Sequence, residues 1–152
     1  MSFENRQELI GLVAEVISGM VVYEEGTPQN DAYNWLVYDD PDYLCPEDPT
    51  LVTRYTLVVF YYSTRGDRWT QCRAPSSGDI ESEIAANDDC PGGNAWLTSG
   101  SECNWSGVTC DENFSVIRLD IGRFRASPKC VGDRTSECSL PIRCLSLQIQ
   151  MV

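Results

Sequence analysis

Apolar residues at three- and four-residue intervals open the chain. Leu9, Ile10, Val13, Val16, Ile17 and Met20 share one side of residues 4–20, and Glu4, Glu8 and Glu15 fall mostly on the other. The spacing predicts an amphipathic helix with this stripe packed on its own domain. The same stripe would suit the end of a linker from an upstream membrane anchor. Residues 24–27 break the pattern. Pro28 can then open a second short helix at its first position, over Asn30–Tyr38, burying Ala32, Trp35 and Leu36. The run DDPDYLCPEDP, residues 39–49, lacks the alternating acids of a calcium loop and reads as a solvated connector. Asp48 can cap a third helix with Pro49 in its first turn. That helix is predicted over Pro49–Ser63, with Leu51, Tyr55, Val58, Val59 and Tyr62 inside. Arg65-Gly66-Asp67 ends it, the glycine taking the left-handed stop. An adhesion role for this triplet is not required, because a helix-terminating turn explains it without any partner.

Periodicity fades over residues 70–95, where Ile80–Ala86 can form one or two helical turns. Then the texture changes. Trp96-Leu97 precedes CNWSGVTC (103–110), Asp111-Glu112-Asn113 supplies a turn, and Val116–Ile121 alternates like a strand. This predicts a small hairpin of Gly107–Cys110 against Ser115–Ile121.

A length of 152 residues suits one domain with an added helical arm. The net charge of −12 removes nucleic acid as a partner, because phosphate binding needs a basic footprint, and disfavours an anionic membrane surface. No apolar run approaches the ~18 residues of a membrane span, so direct membrane insertion is not expected. The charge is uneven: residues 1–60 hold 11 acids and 2 bases, whereas residues 122–152 hold 2 acids and 5 bases. The absence of histidine excludes Ser-His-Asp and Cys-His nucleophiles and His-ligated zinc. A carboxylate pair could still hydrolyse glycosides, but among 23 acids some such pair is unavoidable. The chain reads as a non-enzyme with no metal and no cofactor.

Eight cysteines (45, 72, 90, 103, 110, 130, 138, 144) point to an oxidising compartment. They contain no paired zinc knuckle, and they allow about 105 pairings. Cys72 and Cys90 bracket the unpatterned loop, and a bond between them would close it with a gain of a few kcal/mol. Asn104-Trp105-Ser106 and Asn113-Phe114-Ser115 are acceptor triplets for N-linked glycans. The first twenty residues lack a basic start and Glu15 interrupts their apolar run, so they do not read as a signal peptide. An oxidising location would therefore require a targeting or membrane segment upstream of this chain.

GDRW (66–69), AWL (95–97), CNWSGVTC (103–110) and VIRLDI (116–121) together resemble the plant-type N-terminal cap of leucine-rich repeat proteins. PQNDAYNWL (28–36) through RYTLVVFYYSTRGD (54–67) resembles the version in diatom leucine-rich repeat proteins. The likeness covers about residues 28–121. It implies an α+β fold: a helical cap, then a disulfide-stapled β-hairpin leading into the first repeat strand. It implies a Cys103–Cys110 bond, with Trp69, Trp96, Trp105, Gly107, Leu119 and Ile121 as structural cap residues. Physically, a repeat stack has an apolar end that must be covered. The implied organisation is a helix and linker over 1–27, a cap with first strand over 28–122, and a divergent tail over 123–152.

The repeat consensus puts asparagine where Phe124 stands. Ile142, Leu145, Leu147 and Val152 can be aligned to a second repeat, with Gln150 in the asparagine slot. The tail is thus a degenerate repeat or an artefactual end, and the chain a piece of a longer protein. The resemblance implies a location outside the cell or on its surface. The ligand would be a protein, peptide or glycan bound by repeats largely absent here. The alternative is a stand-alone secreted acidic disulfide-rich protein, an inhibitor or matrix component.

Overall fold

A computed structural model describes residues 2–122. The tail over 123–152, with Cys130, Cys138, Cys144 and the proposed second repeat, lies outside the described residues. The fold is α+β. Its helices are α1 (Phe3–Ser18), α2 (Pro28–Asn34), α3 (Leu51–Ser63) and α4 (Ile80–Asp88); strands β1 (Val108–Cys110) and β2 (Val116–Leu119) form one antiparallel hairpin.

Ser2 caps α1, its hydroxyl accepting from the Asn5 amide. The buried face of α1 differs from the one its sequence predicts. Arg6, Ile10, Gly11 and Ala14 are buried, while Leu9, Ile17, Met20 and above all Val16 (88% exposed) face outward. Small residues let this helix lie close to its neighbours. A β-carbon on Gly11 would sit 3.1 Å from the Tyr23 hydroxyl and 3.6 Å from the Tyr33 ring. Arg6 is drawn inside because it satisfies backbone. Its guanidinium donates to the carbonyls of Leu36 (2.8 Å), Val37 (3.0 Å) and Leu44 (3.0 Å) and lies 3.7 Å from the centre of the Tyr43 ring. The first two carbonyls lie in the last helical turn, where intrahelical partners run out.

Thr27 caps α2, with Pro28 in its first turn. The helix widens into a π-turn over Trp35–Asp39, and Ala32, Trp35 and Leu36 are buried. α3 begins at Leu51, later than the sequence suggests. Asp48 is spent earlier: its carboxylate accepts from both the amide (2.8 Å) and hydroxyl (2.6 Å) of Thr50. Leu51, Tyr55 and Val58 are buried as expected; Arg54, Leu57 and Tyr61 join them, and Val59 and Tyr62 are half-buried. The left-handed residue that stops α3 is Arg65 (φ 54°), not Gly66. Gly66 is glycine for another reason. A β-carbon there would lie 2.1 Å from carbons of the Tyr61 ring. Gly66→Ala should therefore lower stability by about 2–3 kcal/mol through overpacking, read by thermal unfolding.

Between α3 and the hairpin, disulfide Cys72–Cys90 closes the loop that carries α4. Asp79 caps α4 through the Ser82 amide (2.8 Å). No residue of α4 is buried, and Ile80 and Ile84 are exposed. The core instead lies between α1, α2 and α3 and a bed of aromatic rings under the hairpin.

Candidate functional site

The hairpin is built from a short segment, CNWSGVTC, and the strand that follows it. Disulfide Cys103–Cys110 closes it. Trp105 points inward, 1% exposed, with its ring 5.5 Å from Trp96 and 6.5 Å from Trp35. Gly107 holds φ +82°, which a side chain would resist, and its carbonyl accepts from Asp120 (2.8 Å) where the strands close. Val108 pairs with Leu119 and Thr109 with Arg118; a bulge follows, and Cys110 pairs with Val116.

Trp96, fully buried, is the centre of the bed. Its indole N–H donates to the Ser106 carbonyl (2.9 Å), and the rings of Trp69 (5.2 Å), Phe60 (5.9 Å) and Tyr61 (6.1 Å) surround it. The backbone of Asn94 bridges to the hairpin lead-in: its amide donates to Asn104 (2.7 Å) and its carbonyl accepts from Ser106 (2.8 Å). Gly93 permits this approach, since a β-carbon there would lie 2.9 Å from the Asn104 carbonyl oxygen.

Beneath the rings sits an ion cluster that pattern reading missed. Arg54 is 1% exposed. It meets Asp40 (2.7 Å), Asp42 (3.2 Å) and Glu102 (3.7 Å), and donates to the Gly100 carbonyl (2.8 Å). Its guanidinium carbon lies 5.1 Å from Trp105 and 5.4 Å from Trp35. Burial raises the pKa of Asp40 and of Glu102, and Arg54 pulls both back down. The cluster ties α3 to the 39–42 connector and to the segment that leads into the hairpin. One signal was present in the sequence. Arg54 stands three residues after Leu51 and four before Val58, within the buried stripe of α3.

The outer side of the hairpin is open. Among the described residues β2 pairs only with β1, so its other edge carries unpaired backbone groups. Val116, Leu119 and Ile121 are half-buried against the core, and Ile117 is 55% exposed. Leu119 and Ile121 thus line the base of this edge, and Trp69, Trp96, Trp105 and Gly107 lie beneath it or at its start. Asn104 and Asn113 are both exposed, on the lead-in and at the hairpin turn respectively.

A second feature is a cleft of about 520 Å³ between the π-turn and the 74–79 loop, with Asp39, Asp40, Asp79 and Glu83 on its walls. Two of these acids are already engaged. Asp40 is shut from solvent and held by Arg54, and the Ser77 hydroxyl and Ser82 amide bring the Asp79 carboxyl below its usual range. Cys45 is an exposed free thiol among the described residues. In the R-G-D triplet, Arg65 and Asp67 are exposed while Gly66 is buried against Tyr61.

Fold and site together describe a helical block that beds a disulfide-closed hairpin with one strand edge open. Over 78 residues, 48% of the chain, the sequence is 33% identical to Phytosulfokine receptor 1 of Arabidopsis thaliana, a plant leucine-rich repeat receptor. The chain spans 8% of that protein's length. No family model and no solved structure matches it. The similarity marks a leucine-rich-repeat-related region, and with the disulfides it fits a secreted or cell-surface location. No helix among the described residues is long and apolar enough to cross a membrane.

Proposed function

We propose that this chain is the N-terminal capping region of a leucine-rich repeat recognition protein at the cell surface. The observation that carries the reading is the open β2 edge, anchored by Cys103–Cys110 and laid on the Trp69–Trp96–Trp105 bed. A strand with free backbone groups on one side and half-buried Val116, Leu119 and Ile121 at its base is a seat for the next repeat. The helical block shields the other end of that core from water. The role is structural, without catalysis, and recognition of a protein, peptide or glycan belongs to the repeats that follow.

The reading is tested by grafting. Residues 1–122 fused ahead of an array of leucine-rich repeats that lacks its own cap should keep the array soluble. They should also raise its Tm by at least about 4 °C, the shift ~1 kcal/mol of interface gives a small array. An unchanged Tm, with the free 152-residue chain a soluble monomer, would favour the stand-alone secreted module instead.

A further inference from the structure

We propose that Asn113 carries an N-linked glycan and that Asn104 does not. The inference rests on the cell-surface reading, because the modification belongs to the secretory route. The two triplets look alike in sequence, and tertiary structure separates them.

In Asn104-Trp105-Ser106 the asparagine is exposed, but the two residues after it are clamped. Trp105 and Ser106 are 1% and 3% exposed. The Ser106 hydroxyl donates to the Pro91 carbonyl (3.3 Å), and its amide and carbonyl are taken by Asn94 and by the Trp96 indole. The Asn104 carbonyl accepts from Asn94, against Gly93, where a single added β-carbon would already be too close. The triplet also lies inside the ring closed by Cys103–Cys110. Closure of that ring and burial of Trp105 remove the extended, loose backbone that a transferring enzyme must grip.

Asn113-Phe114-Ser115 stands at the tip of the hairpin, and all three residues are exposed, Phe114 by 64%. The turn is held from below. The Asp111 carboxylate accepts from the amides of Asn113 and Ser115 (both 2.9 Å), and the Asp111 backbone bonds those of Phe114 and Ser115. Within the triplet these bonds occupy backbone only, so the Asn113 side-chain amide and the Ser115 hydroxyl remain available to an enzyme. Phe114 holds φ +60° and turns its ring outward, so no ring has to leave a core for the triplet to be engaged.

The step is a glycosyl transfer. The Asn113 Nδ2 forms a bond to the anomeric carbon of a lipid-diphosphate-linked oligosaccharide. The bond from that carbon to the phosphate oxygen breaks, the lipid diphosphate leaves with the electron pair, and one amide proton is released. The glycan then stands at the turn end of β2, opposite the end that leads to Gly122. It covers Phe114 and the tip of an open strand edge, the kind of surface that otherwise invites pairing between chains.

The test expresses the full chain behind a cleavable secretion leader in eukaryotic cells and maps glycopeptides, with thiol labelling of the same sample. Most secreted molecules should carry a glycan at Asn113 and almost none at Asn104. Asn113→Gln and Ser115→Ala should each abolish the enzyme-removable mass shift; Asn104→Gln should leave it intact. A glycan on Asn104, or a bare Asn113 in a secreted chain with Cys72, Cys90, Cys103 and Cys110 oxidised, overturns the assignment and leaves the cell-surface reading standing. A chain whose four cysteines stay reduced overturns that reading and the glycan with it.

Discussion

Arg54→Leu should destabilise the domain by about 3–5 kcal/mol at neutral pH, the usual cost of leaving a buried charge without its partner. Leucine fills much of the same volume, so the loss is electrostatic rather than a cavity effect. The variant strands Asp40 and Glu102, whose side chains are 0% and 2% exposed, with no cation beside them. Burial already raises both carboxyls, and removing Arg54 deletes the interaction that pulls them down. Both will therefore take up protons more readily in the folded variant than in the unfolded chain. Stability gained by that uptake is fully present below the unfolded carboxylate pKa and is lost as pH rises through the folded one. The deficit relative to the parent protein should be largest at neutral pH and shrink on acidification toward about pH 5. Denaturant melts of both proteins at the two pH values measure this. A deficit independent of pH would mean that Arg54 acts by packing against Trp35 and Trp105 alone.

Trp96→Ala should cost a similar ~3–5 kcal/mol, as expected for a large aromatic removed from a filled core. The indole is wholly buried, touches the rings of Phe60, Tyr61, Trp69 and Trp105, and donates to Ser106. Its loss should also be felt locally. The hairpin rests on this ring and is tied to it through the Ser106 carbonyl, so amides of β1 and β2 should exchange faster than those of α1. Hydrogen exchange followed by mass spectrometry separates these regions. Uniform loss of protection would show that the hairpin and helical block unfold as one unit. Trp96→Phe, which keeps most of the ring contacts and loses the hydrogen bond, should cost about 1–2 kcal/mol.

Much of the local structure was legible from pattern. Three helices and the hairpin follow from period-3.6 and period-2 spacing with prolines and acids at their starts. Boundaries moved where a side chain had a stronger local partner: Asp48 bonds Thr50 and so delays α3 to Leu51. Local pattern makes the glycine of the R-G-D triplet a conformational stop. It is a packing requirement, set by a ring five residues earlier that only the folded chain brings back. Periodicity puts Leu9, Ile10, Val13, Val16 and Ile17 on one side of α1 without saying which edge of that side is covered, and burial follows Arg6, Ile10, Gly11 and Ala14 instead. Helix α2 packs against α1, and Gly11 lies beside the Tyr33 ring, where the lack of a side chain permits close approach.

By itself the sequence determined the element order, the fold class, the acidic charge and the two acceptor triplets, because each depends on residues near one another in the chain. Only tertiary structure decided which face of α1 is dry and which acceptor triplet has its neighbouring residues buried. It alone placed Arg54 among Asp40, Asp42 and Glu102, drawn from positions 40 to 102. The physical reason is one of range. Helix and turn preferences are settled within a few residues, whereas burial, ion pairing and access are properties of surfaces that meet only after the chain has closed on itself.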